Sequence, residues 1–166
     1  LGDVYKRQDK LWDEAIEQAN IALEKNPKHR GAMMCRALVF INKKEYVNAT
    51  KELTALIEFL NKTLQDDDLT GKGTLAAAYA NRGIIKDRKE QYEEALKDYI
   101  KDLEVDHESV AGPGLGHKII YMINKPSSVR DRAQYIHEQL QLPLEKRLLK
   151  LPKADKEQRM HKPGKL

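Results

Sequence analysis

Apolar residues recur three and four positions apart through the first two thirds of this chain, which predicts amphipathic helices. Five segments carry the pattern: LWDEAIEQANIALEKNP (11–27), AMMCRALVFINKK (32–44), EYVNATKELTALIE (45–58), AAYANRGIIKDRK (77–89) and QYEEALKDYIKDLEVD (91–106). Asn26-Pro27 closes the first, because proline cannot continue a helix and disfavours helical geometry in the residue before it. The third is expected to extend to about Leu64. QDDDLTGKG (65–73) then reads as a solvated loop, its acid run and glycines having nothing to bury. VAGPGLG (110–116) is a breaker cluster. HKIIYMIN (117–124) predicts a short apolar helix stopped by Lys125-Pro126. Ser127 or Ser128 is placed to cap a helix over 129–142. Beyond Pro143 the spacing predicts one or two turns over 145–151 and a mobile end over 153–166.

The segments repeat. Ala15 and Ala49 lie 34 residues apart, and the same register aligns Trp12, Tyr46 and Tyr92 three positions before Ala15, Ala49 and Ala95. In the preceding helices Arg36 matches Arg82 and Ala37 matches Gly83, so each small residue stands 12 positions before its alanine. Two antiparallel helices approach closely only where side chains are small, which makes Ala37 with Ala49, and Gly83 with Ala95, the expected nesting points. Tyr46 and Tyr92 are expected to fill the space at the turns.

A 34-residue helix-turn-helix unit pairing small residues beneath an aromatic resembles the tetratricopeptide repeat, from about Asp9 to Asp106. The resemblance implies an all-α antiparallel helical-hairpin solenoid with a right-handed superhelical stack. Its parts are a half repeat at 9–28, repeats at 29–64 and 74–109 around the loop 65–73, a degenerate repeat or capping hairpin at 110–142, and a basic tail at 143–166. It also implies a concave groove for a peptide or partner helix, lined here by Met34, Leu38 and Asn42 and by Ala80, Asn81, Ile84 and Arg88. Asn81 resembles the central asparagine that hydrogen-bonds peptide backbone in the chaperone-tail-binding subclass. The rest of that carboxylate clamp is incomplete: Met34 and Leu38 stand where it uses Lys and Asn, and only His117 and Lys118 lie near its last cations. Two further departures matter. Arg36 and Arg82 occupy a position usually given to Leu, predicting a weakened contact, and Asp102 replaces a small residue.

The first eight residues, LGDVYKRQ, stand apart. Residues 3–8 resemble one translated frame of a sequencing adapter, and Gly2 lies 13 positions before Ala15 rather than 12. They are therefore set aside as an artefact, with the expectation that a longer eukaryotic protein lost its upstream repeats and that the exposed first helix self-associates.

Composition narrows function by exclusion. The chain has 166 residues, 40% hydrophobic and 34% charged, with net charge +4. From Leu144 onward there are eight Lys/Arg against three acids, +5, leaving −1 for the rest, so basicity belongs to the tail. A lone Cys35 excludes an internal disulfide and reads as a small buried hydrophobe. The histidines His29, His107, His117, His137 and His161 are scattered, no zinc, thiol or serine-hydrolase motif occurs, and GPGLGHK (112–118) lacks the spacing and preceding strand of a phosphate loop. The expectation is a non-enzymatic scaffold without cofactor or metal, binding a protein or peptide, in the cytoplasm. The alternatives are nucleic-acid or acidic-partner binding through residues 144–166, a chaperone co-factor, and a peroxisomal address in the final Gly-Lys-Leu. Deleting 144–166 is the discriminating experiment on sequence grounds.

Overall fold

The computed structural model describes residues 2–106, 116–122, 127–158 and 160–162. Among them every regular element is helical. They form two compact units, Leu1–Thr63 and Leu64–Leu166.

In the first unit α1 (Gly2–Lys25), α2 (Arg30–Asn42) and α3 (Tyr46–Thr63) follow one another, and α2 packs against both neighbours. Helix α1 ends one residue before Asn26-Pro27, as the proline requires, and it begins at Gly2, so residues 2–8 continue it. His29 caps α2, its ring Nδ1 accepting the Ala32 N–H at 3.1 Å. Ala37, Ala49, Leu53, Leu56 and Leu60 are sealed from solvent. Trp12, Ala15, Tyr46 and Cys35 are half-buried, and Cys35 Sγ lies 4.0 Å from the Ala15 carbonyl. Leu11 and Ile21 on α1 remain exposed.

The second unit opens with α4 (Leu69–Arg88) and α5 (Tyr92–Asp106). Helix α4 starts earlier than the sequence suggests. Asp68 Oδ1 accepts the Gly71 N–H at 2.7 Å, and this cap draws Leu69–Gly73 into the helix, correcting the loop expected over 65–73. A 3-10 turn at Gly116–Lys118 leads into α6 (Ile119–Met122), and α7 (Ser128–Leu140) is capped by Ser127 Oγ, which accepts the Arg130 N–H at 3.2 Å. Residues 107–115 and 123–126, with His107, most of the breaker cluster and the Lys125-Pro126 stop, lie outside the described residues. Ile84, Ala95, Leu96, Tyr99, Leu103, Ile119, Ile120, Val129 and Ile136 form the core of this unit.

The two hairpins share features at an offset of 46 residues. Lys44 and Glu90 both take left-handed backbone, with φ of 58° and 62°. At each turn the same two bonds close the helix: Lys44 N–H to Ile41 and Glu45 N–H to Phe40 (3.0 and 2.8 Å), and Glu90 N–H to Asp87 and Gln91 N–H to Lys86 (2.9 Å each). A Cβ strains this conformation, so Lys44→Gly is expected to raise stability by about 0.5–1 kcal/mol in urea unfolding. No gain would mean that the turn tolerates its lysine without strain.

The arginines at the leucine position also recur. Arg36 pairs with Glu52, and Arg82 grips Asp98 through two bonds of 2.8 Å, each acid 16 residues downstream on the partner helix. The expected weakened contact is thus replaced by a part-buried ion pair across each hairpin, reinforced in the second by Lys86 at 2.8 Å from Asp98.

Gly83 is where α4 and α5 come closest. A Cβ there would lie 2.7 Å from two ring carbons of Tyr99 and 3.4 Å from the Ala95 carbonyl oxygen. The small residue is needed, and the ring of Tyr99 needs it as much as Ala95 does.

Candidate functional site

The tail carries the largest difference from expectation. Residues 144–146 form a 3-10 turn and Pro152–Glu157 a short helix, α8, and beyond it residues 158 and 161 meet Arg88 and Asn81 of α4. Within the stretch expected to be a mobile end, residues 158 and 161 are hydrogen-bonded to α4, for reasons that lie in α4 and α7.

Asn81 is fully buried, and both polar atoms of its carboxamide face one residue of the tail. Its Nδ2 donates to the His161 carbonyl at 2.6 Å and its Oδ1 accepts the His161 N–H at 3.0 Å. Nδ2 also donates to the Ala77 carbonyl at 2.8 Å, which fixes the amide orientation. Two turns on, Arg88 donates to the Gln158 carbonyl at 3.1 Å. These three tail bonds address main chain, so they hold an extended segment with little regard to its side chains.

Beside them lies a buried ionic cluster. Arg132 of α7 makes two bonds to Asp87, of 2.8 and 2.7 Å, and a third to the Leu149 carbonyl at 2.9 Å. Asp87 also accepts from the Tyr99 hydroxyl at 3.1 Å and from the Gln158 amide. Burial and the Asp87 carboxylate push the Tyr99 hydroxyl well above its ordinary value, so it remains a donor at neutral pH. Asp87 thereby ties α4, α5, α7 and the tail to one carboxylate.

Two cavities flank the docked residue. One, about 270 Å³, is mainly apolar, lined by Ile84, Tyr99, Val129, Arg132, Tyr135 and Leu151 together with Gln158 and His161. The other, about 310 Å³, is walled by the small residues Gly73, Ala76 and Ala77, by Asp102 and Asp106, and by His161 and Lys162. Burial pushes the Asp102 carboxyl well above the usual carboxylate range, with Asp106 adding repulsion. Because the folded value exceeds the unfolded one, the charged form opposes folding. That penalty is absent below the ordinary value of 3.8 and grows as pH rises through the folded value. Asp102→Asn removes the charge while keeping the shape, and is accordingly expected to stabilise at pH 7. The gain should fade in melts taken toward pH 4, and a gain independent of pH would contradict the assignment.

Of the expected groove residues, the structure brings Asn81 and Arg88 to the tail backbone and puts Ile84 in the wall of the apolar cavity. Ala80 is buried in the core. In the first unit Met34 is only 2% exposed, which makes it a packing residue rather than a groove-lining one. Leu38 is half-buried, and Asn42 is exposed with its amide donating to the Leu38 carbonyl at 3.0 Å. His117 stacks on His137 with ring centroids 4.9 Å apart, and so does not extend a clamp. Sequence reading missed Asp87, Tyr99, Arg132, Gln158 and His161. Their partners lie 12 to 80 residues away and obey no helical period.

Among the described residues no helix is long and apolar enough to cross a membrane, and no three His, Cys, Asp or Glu are grouped to hold a metal ion. No family model, no curated protein and no solved structure matches the chain.

Proposed function

We propose that this chain is a non-catalytic protein-interaction module of tetratricopeptide type, whose second unit takes an extended peptide along α4. The observation that supports the reading is the Asn81 carboxamide, sealed from solvent and holding both the N–H and the C=O of residue 161. A buried amide aligned in this way matches main chain, the one feature every peptide shares, and Arg88 sets a second point along the same line. The basic tail then acts inside the module, not as a free arm for nucleic acid, since its residues 158 and 161 are already bonded to α4. Deleting 144–166 would uncover Asp87 and Arg132, so a point substitution is the cleaner test. Random peptides displayed against the full chain should yield binders that lose at least about tenfold in affinity, ~1.4 kcal/mol, on Asn81→Ala. Peptides that bind Asn81→Ala as tightly as the unaltered chain would remove the reading.

A further inference from the structure

We propose that the groove selects an extended basic peptide, with the residue after the one clamped by Asn81 placing a lysine or arginine side chain in the cavity faced by Asp102, and that the tail residues 158 and 160–162 are an internal occupant which such a peptide displaces. The inference rests on the peptide-binding reading above and adds the chemistry of the ligand.

Asp102 is 8% exposed, lines the cavity, and has no hydrogen-bond or ion-pair partner among the described residues. An unpaired buried carboxyl is costly, and a cation brought beside it relieves that cost. Asp106, one turn along α5, borders the same space and adds a second carboxylate. The opposite wall is Gly73, Ala76 and Ala77, which leaves about 310 Å³, room for a long side chain where one water occupies ~30 Å³.

The position of the tail supplies the register. His161 is the residue clamped by Asn81, and the next residue, Lys162, is exposed and borders the same cavity, the one lysine or arginine that does so among the described residues. The chain therefore already presents main chain to Asn81 and a basic residue one step later. The bonds from Asn81 to residue 161 and from Arg88 to residue 158 are to backbone, which any peptide carries, so a peptide in trans can compete with the tail for them. An acidic peptide would meet Asp102 and Asp106 instead and be rejected.

The test uses a fluorescein-labelled peptide copying residues 156–162 and a second copy carrying Lys162→Gln, titrated by anisotropy against the full chain and against full chain with His161→Pro. Proline lacks the N–H that Asn81 accepts, so this variant loosens the internal occupant and leaves α4 and α5 unaltered. His161→Pro is expected to bind the lysine peptide about tenfold tighter than the unaltered chain does, and about tenfold tighter than it binds the glutamine copy. Adding Asp102→Asn, expected to strengthen the fold, should bring the two peptides to equal affinity. Equal binding of both peptides to His161→Pro overturns the cation site while leaving the groove standing. Binding that Asn81→Ala does not weaken overturns the groove itself. Absence of any binding, to His161→Pro and to the unaltered chain at excess peptide alike, overturns both.

Discussion

Asp87→Ala is expected to be the most damaging single substitution in the second unit, at about 3–5 kcal/mol in urea unfolding at pH 7. The Asp87 side chain is 4% exposed and that of Arg132 10%, so removing the carboxylate leaves a guanidinium in the interior without its counter-charge. The Tyr99 hydroxyl loses its acceptor at the same time, and the Gln158 amide is left with the Tyr99 oxygen alone. Because breaking a buried pair costs more than replacing both partners, Asp87→Ala with Arg132→Met should cost less than Asp87→Ala alone. That sign distinguishes an unpaired charge from simple loss of packing. A double variant worse than Asp87→Ala would show that packing, not charge, dominates. The tail should also loosen in Asp87→Ala, read as faster proteolysis beyond Pro152, since Gln158 loses one of its two side-chain anchors.

Gly83→Ala has the second largest expected effect, and its interest lies in its sign. Alanine normally strengthens a helix interior by about 1 kcal/mol over glycine. At this position the new methyl would stand 2.7 Å from the Tyr99 ring. That ring is 1% exposed and its hydroxyl is held by Asp87, so it cannot tilt away without breaking the cluster. Overpacking of this kind costs about 1–3 kcal/mol, and the net result is a loss. Gly73 on the same helix provides the control. Nothing lies within 4 Å of a Cβ built there, so Gly73→Ala should gain up to about 1 kcal/mol. Equal responses at the two glycines in thermal melts would contradict the close approach of α4 to α5.

The two substitutions meet at Tyr99, which joins the hairpin packing to the candidate site. The ring requires the glycine, and the hydroxyl helps to orient the carboxylate that holds Arg132 and Gln158. A change in how α4 and α5 nest would therefore be felt at the docked tail, and release of the tail would remove one donor from Asp87. Binding and stability in this unit share the same few groups.

Helix positions were legible because they depend on neighbours in sequence. Apolar spacing placed α2, α3, α5 and α7 within a few residues, Pro27 ended α1, and of the two serines expected as caps, Ser127 and Ser128, it is Ser127 that caps α7. Gly83 was recognised as a close-packing position from its register with Ala95, though not that Tyr99 would be the nearest atom group. Reading was weaker wherever a residue type carried a general expectation that a distant partner overrode. Arg36 and Arg82 suggested lost contact and instead pair with Glu52 and Asp98. The glycines of 65–73 suggested loop, but the Asp68 side chain capped a helix through them. Positive charge suggested a free tail, while the groups that bond it are the main chain of residues 158 and 161 and the Gln158 amide, none of them charged and none registered by composition.

The sequence by itself determined the helices of the described residues and the close approach of Gly83 to Ala95, because periodicity, caps and side-chain volume act over one or two turns. Only the tertiary structure decided that Asp87, Tyr99, Arg132 and Gln158 share one buried cluster, and that Asn81 faces the backbone of a residue 80 positions away. Those contacts are set by where whole helices come to rest, and a hydrogen bond across such a separation leaves no trace in the local pattern that a single sequence displays.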